Sequence, residues 1–259
     1  NPIFSINYTD TRLDGIVTES KNILNDILTS SPNDTIEIDL YLSSTLDDGV
    51  LGEASWEDKR IWLNEKNLTD TNTFRLNDIS ANLNVPVLIH EILHVFGLVG
   101  IGPGEDFANG DNYDNDIPPN VYKGPKGVTQ YKNVLAANGK STVDISYIPM
   151  EDDFGLGTKM SHFEEGEGDA GDETREINGT IYPVLRNELM SGFLNSSDNY
   201  LTPMTVGLLE DLGYEVNYDS QHVVSTGNNF VWIPGNNSSL QYLNYNTSRN
   251  CKNCKVIHK

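Results

Sequence analysis

The chain has 259 residues, enough to bury a sizeable core as one large domain or as two lobes around a cleft. Its 17 Lys and Arg stand against 38 Asp and Glu, a net charge of −21. Such a surface repels phosphate backbones and anionic lipid, so nucleic acid and membrane surfaces are poor partners.

The chain opens on Asn1 with no basic-then-apolar leader, the pattern expected of a processed or trimmed product. The stretch "TRLDGIVTESKNILNDILTS" (11–30) places Leu13, Ile16, Val17, Ile23, Leu24, Ile27 and Leu28 at helical spacing, predicting an amphipathic helix. "SPN" breaks it, and "TIEIDLYLSS" (35–44) alternates apolar and polar residues as a half-buried strand does. "GVLGEAS" (49–55) and "RIWLN" (60–64) are shorter predicted strands. A helix follows over roughly 85–97, with Asn84 as the expected cap and Pro86 tolerable in its first turn. It is apolar on nearly every face, which places it through the middle of the molecule. The surrounding run, 85–102, approaches the length of a membrane span, but no second span is present to bury its polar groups, so a buried helix is expected.

Residues 101–161 are rich in Gly, Asp, Asn and Pro with weak periodicity, and read as a long loop region. Pattern returns at "TPMTVGLLEDLGY" (202–214), a predicted helix with Thr202 as N-cap, Pro203 at its first position and Gly213 at its end. Beyond Tyr218 only "NFVWIP" suggests a strand. Cys251 and Cys254 form one CxxC, which cannot hold zinc with four thiolates; a short-loop disulfide, free thiols or half of an intermolecular site all fit. Asn-x-Ser/Thr triplets at Asn7, Asn33, Asn67, Asn178, Asn195, Asn236, Asn237 and Asn246 lean towards a secreted or extracellular protein.

Chemistry concentrates in "HEILHVFGLVG" (90–100). Positions i and i+4 share a helix face, so His90 and His94 can each offer a ring nitrogen to one metal. Glu91 is rotated by about 100° at ~3.6 residues per turn, out of easy reach as a ligand but well placed beside a water on the metal. A bare HExxH also arises by chance, and buried histidines are commonly hydrogen-bonded core residues. A Glu flanked by two His in an apolar helix, however, is costly unless a charge compensates it, and a divalent cation does so. Zinc is the expected metal, and a catalytic zinc takes three protein ligands plus water.

The third ligand is not adjacent. Gly97 supplies a turn, but Gly100 occupies the position where the shortest long motif would carry histidine. The acids downstream (Glu105, Asp111, Asp114, Asp116) lie in loop sequence, as an acidic third ligand of the gluzincin kind would not; His162 in "MSHFEEGEG" is preferred because a histidine agrees with the glycine turn. Asp111, Asp114 and Asp116 are also candidate Ca²⁺ ligands, although they do not match an EF-hand loop and a solvated acidic loop is the commoner explanation.

"HEILHVFG", a long insertion, "SHFEE", "NELMSGF" and "LTPMTVGLLEDLGYEVNY" together resemble the leishmanolysin family of metzincin metallopeptidases, over about Leu46 to Tyr218. The resemblance implies an α+β, zincin-like catalytic domain: a twisted mixed sheet with the active-site helix, then a C-terminal lobe with a Met-turn and a helix. It divides the chain into an N-terminal lobe (1–97), a C-terminal lobe (98–217) and a tail (218–259). It implies His90, His94 and His162 as zinc ligands, Glu91 as catalytic base, Gly97 as the turn glycine and Met190 as the Met-turn methionine, a flexible, polarizable side chain suited to packing beneath ligand imidazoles. It also implies a protein or peptide substrate lying antiparallel to an edge strand near Gly52–Ala54, and a subsite wall near Met190–Leu194. Two departures stand out: the cysteine-rich members' disulfides are not expected in a sequence with two cysteines, both near its end, and this sequence shows no pro-segment with a zinc-blocking cysteine, so latency control is expected to be absent or already removed. The expected activity is zinc-dependent endopeptidase. The alternatives are a gluzincin-type hydrolase and a zinc-containing surface binding or adhesion module that does not cut.

Overall fold

The computed structural model describes residues 2–32, 34–68, 73–76, 79–98, 113–114, 121–151, 161–166, 174–194, 198–227 and 254–258. Its architecture is α+β. Strands β1 (Phe4–Asn7), β2 (Ile36–Ser43), β3 (Val50–Ser55) and β4 (Arg60–Asn64) form a mixed sheet in the spatial order β1-β2-β4-β3. β1 and β4 run parallel to β2, and β3 returns antiparallel to β4. Alternation in β2 buries Ile38 and Leu40 and leaves Tyr41 exposed, as period-two side-chain placement requires. β3 differs: all six of its residues are buried.

Helix α1 (Asp14–Ile27) follows a 3₁₀ turn whose N-cap, Asp10, accepts from the Arg12 amide at 3.0 Å. Ile16, Val17, Ile23, Leu24 and Ile27 form its buried face, as the spacing predicts. The helix stops three residues short of the predicted end. Leu28–Ser30 becomes a strand antiparallel to Glu215–Val216, a distant partner that overrides local periodicity.

Helix α2 (Asn84–Val95) is buried along its whole length and packs on β3, β4 and α1. Asn84, the cap expected from the sequence, does not cap it. It is the first helical residue, and Asn82 Oδ1 accepts from its amide at 2.9 Å. Among the described residues no helix is long and apolar enough to cross a membrane.

The reading of 101–161 as loop needs correction. Pro125–Ala137 forms a 13-residue helix, α3, with Pro at its start and Gly139 at φ 70° just beyond its end. Its apolar residues Val128, Tyr131, Val134 and Leu135 had the right spacing, but Gly127 and the polar residues between them diluted the pattern. α3 packs on α4 (Pro203–Asp211) almost backbone to backbone: a Cβ on Gly207 would stand 2.9 Å from the Cα of Gly127. Asp211 at the end of α4 accepts from the Lys126 and Gly127 amides, each at 2.9 Å, and so caps α3. α4 follows its prediction: Thr202 Oγ1 accepts from the Thr205 amide at 3.4 Å, and Gly213 ends the turn at φ 91°.

Two further strands extend the sheet past β3. β5 (Cys254–His258) pairs antiparallel with β3, Val256 opposite Gly52 and Cys254 opposite Ala54. Phe193–Leu194 then pairs parallel with Ile257–His258. The edge that the sequence reading left open for a substrate is therefore covered by the chain's own C-terminal strand. "NFVWIP" lies outside the described residues.

Candidate metal centre

α2 places His90 and His94 one turn apart on a single face. Gly97, at φ 97°, ends the helix with a backbone turn that favours glycine. The turn folds the chain back so that Leu98 C=O accepts from Nδ1 of His94 at 3.0 Å. Leu189 C=O accepts from Nδ1 of His90 at 2.7 Å. A carbonyl can only accept, so both rings carry their proton on Nδ1 and present bare Nε2 lone pairs inward.

His162 arrives from an irregular segment. Its carbonyl accepts from the Glu151 amide at 2.9 Å, and the next amide, of Phe163, donates to Met190 C=O at 3.0 Å. The three Nε2 atoms converge: His90 to His94 is 2.8 Å, His90 to His162 is 3.2 Å and His94 to His162 is 3.3 Å. Three nitrogens bound to tetrahedral zinc at ~2.0–2.1 Å would stand about 3.3–3.4 Å apart, so the donor set fits such an ion with slight opening. Two lone pairs facing each other at 2.8 Å repel unless a cation lies among them. Burial first, then the neighbouring His94 and His162, push the His90 pKa well below its ordinary value. His90 therefore stays neutral, the form that binds metal.

Among the described residues, His90, His94 and His162 are the cluster able to hold a metal ion, and all three are buried. Glu91, fully buried beside them, lies against β3. A Cβ on Gly52 would come within 2.9 Å of both Glu91 Oε1 and Val87 Cγ1, so the glycine is what allows strand and helix to approach so closely. Met190 is buried in the turn 187–191, between the carbonyl that holds His90 and the one that holds Phe163.

The candidate calcium ligands Asp111 and Asp116, and Glu105, lie outside the described residues. Asp114 is described only through its backbone, opposite Val121. Reading the sequence missed the carbonyls of Leu98 and Leu189, because a backbone group leaves no compositional trace. It also missed Glu188, whose only signal was an acid next to Leu189 and Met190. No protein-family model matches the chain, and no curated protein matches it.

Proposed function

We propose that the chain is a zinc-dependent endopeptidase of metzincin type. The observation that carries this reading is the convergence of three Nε2 atoms, two of them fixed as lone-pair donors by backbone carbonyls, with Glu91 adjacent on the same helix. Zinc held there would lower the pKa of a water and polarise a scissile carbonyl. Glu91 would take the proton of the attacking water and pass it to the leaving amine. Its burial keeps bulk water from competing for that proton and strengthens its electrostatic influence. The resemblance to the leishmanolysin family supports the same roles, with Gly97 turning the chain, Met190 lying beneath the ligands, a first lobe ending at residue 97 and a second running to 217.

The substrate would be an extended protein segment paired with β3, and the Asn-x-Ser/Thr triplets support a secreted enzyme acting on such segments. β5 now holds that edge, so cleavage requires the C-terminal strand to leave. The same strand favours a second reading, a zinc-holding module that does not cut. One assay separates the two: casein or a peptide library with wild type, with Glu91→Gln, and with chelator. Chelator-sensitive cleavage that Glu91→Gln reduces by roughly 10²–10⁴-fold while retaining zinc supports the peptidase. Zinc retention without cleavage, even after the tail is released, supports the binding module.

A further inference from the structure

The carboxylate of Glu188 is fully buried, and the structure gives it only neutral donors among the described residues: the hydroxyls of Thr202 and Thr205, the Met190 amide and the Thr202 backbone. A buried acid without a cationic partner is expensive, and a leucine would suit an apolar core better. Burial raises its pKa to about 7 against the opposing pull of these hydrogen bonds.

The geometry around it points to a use. The Met190 amide that donates to Glu188 belongs to the same peptide unit as the Leu189 carbonyl that accepts from His90 Nδ1 at 2.7 Å. Carboxylate, one peptide plane and imidazole thus form an unbroken hydrogen-bonded chain ending at an inward-facing Nε2. The following carbonyl, of Met190, accepts from Phe163 N–H at 3.0 Å, beside His162. The Thr202 hydroxyl, 2.9 Å from Glu188, and that of Thr205 tie the carboxylate to the start of α4. The turn is closed by Leu189 N–H to Tyr200 C=O at 2.8 Å and Ser191 N–H to Glu188 C=O at 3.1 Å.

We propose that Glu188 is a positioning residue for the metal centre: through the Leu189–Met190 peptide it holds His90 in its Nδ1-protonated form and raises the donor strength of its Nε2. The inference rests on the metal-site part of the proposed function. A carboxylate hydrogen-bonded directly to a metal-bound histidine is a common outer-shell device. Here one peptide transmits the effect, since a charge on the amide side polarises the carbonyl side and neighbouring hydrogen bonds reinforce one another. It leaves the carboxylate at α4, where it also fixes the turn beside His162.

The test is zinc affinity by chelator competition at pH 8, with ¹⁵N spectra of the histidine rings, for wild type, Glu188→Gln and Glu188→Ala. Gln keeps size and hydrogen-bonding capacity but removes the charge. Zinc binding about 10-fold weaker in Glu188→Gln, and up to ~100-fold weaker in Glu188→Ala, is the expected result, matching losses typical of outer-shell partners. The His90 Nδ1 resonance should also shift in the metal-free Gln variant. If Glu188→Ala does not fold, Glu188→Gln decides. Affinity within about twofold of wild type and an unchanged His90 spectrum, whatever happens to the melting temperature, would leave Glu188 a core residue and overturn the proposal. Should wild type itself take up no zinc, the metal reading fails on its own, and an unchanged His90 spectrum in Glu188→Gln would then reject the relay as well.

Discussion

The two halves of the candidate metal centre are built in different ways. His90 and His94 come from one helix, where a single regular geometry brings two rings together, and the local sequence nearly suffices to place them. His162 comes from irregular chain, positioned by hydrogen bonds to Glu151 and by the turn at 187–191. The helix that spaces the pair is held by its own backbone hydrogen bonds, even though its rings are aimed by the Leu189 and Leu98 carbonyls beyond it; an irregular segment depends throughout on buried polar contacts that must all be satisfied. Damage around His162 should therefore disturb where that ring sits, while damage to the turn at 187–191 should reach His90 as well, through the Leu189 carbonyl.

The largest expected effect comes from the ligands. His162→Ala should lower zinc affinity by more than the ~10–100-fold typical of an outer-shell partner, and His94→Ala should do as much, both measured by chelator competition. Zinc and activity surviving in His162→Ala would restore the acidic-ligand alternative and break the symmetry between the halves. Next is Gly52→Ala. Its new Cβ would press on Glu91 Oε1 and Val87 Cγ1, each at 2.9 Å. Overpacking of this kind costs about 1–3 kcal/mol; activity should fall with Glu91 displaced while zinc affinity changes little, so the helical half can be impaired without losing its metal. Melting curves and peptide turnover together check this.

The C-terminal strand offers a direct test. It pairs with β3 across Gly52–Ala54, so a chain truncated after residue 253 removes it. The truncated protein is expected to turn over peptide at least tenfold faster than the full chain, with zinc content unchanged; equal rates would mean that β5 does not compete with substrate for β3. The smallest effect is a pH slope. The fold raises the pKa of Glu188 from 4.5 to about 7, so the unfolded chain gives up this proton first. Stability from this group is complete below pH 4.5 and declines as pH rises towards 7, by on the order of 3 kcal/mol. Denaturant titrations of the metal-free protein should show that slope reduced in Glu188→Gln.

Legibility followed the range of the interactions. α2 was plain because its apolar residues and paired histidines lie within 12 positions, and α4 because Thr202, Pro203 and Gly213 mark its ends through their own backbone preferences. α3 was obscured by Gly127, placed there for a close approach to Gly207 that only the packed helices reveal. The end of α1 was misplaced because Leu28–Ser30 answers to Glu215–Val216, nearly two hundred residues away.

By itself the sequence determined that a paired-histidine helix exists, that it is buried, and that His162 is the histidine preferred to complete it. These follow from local periodicity and from the chemistry of side chains. Tertiary structure alone decided that the three ring nitrogens meet, that the carbonyls of Leu98 and Leu189 choose their tautomers, and that Cys254–His258 covers β3. Backbone groups are the same in every residue, so which carbonyl reaches which ring is written only in the path of the folded chain.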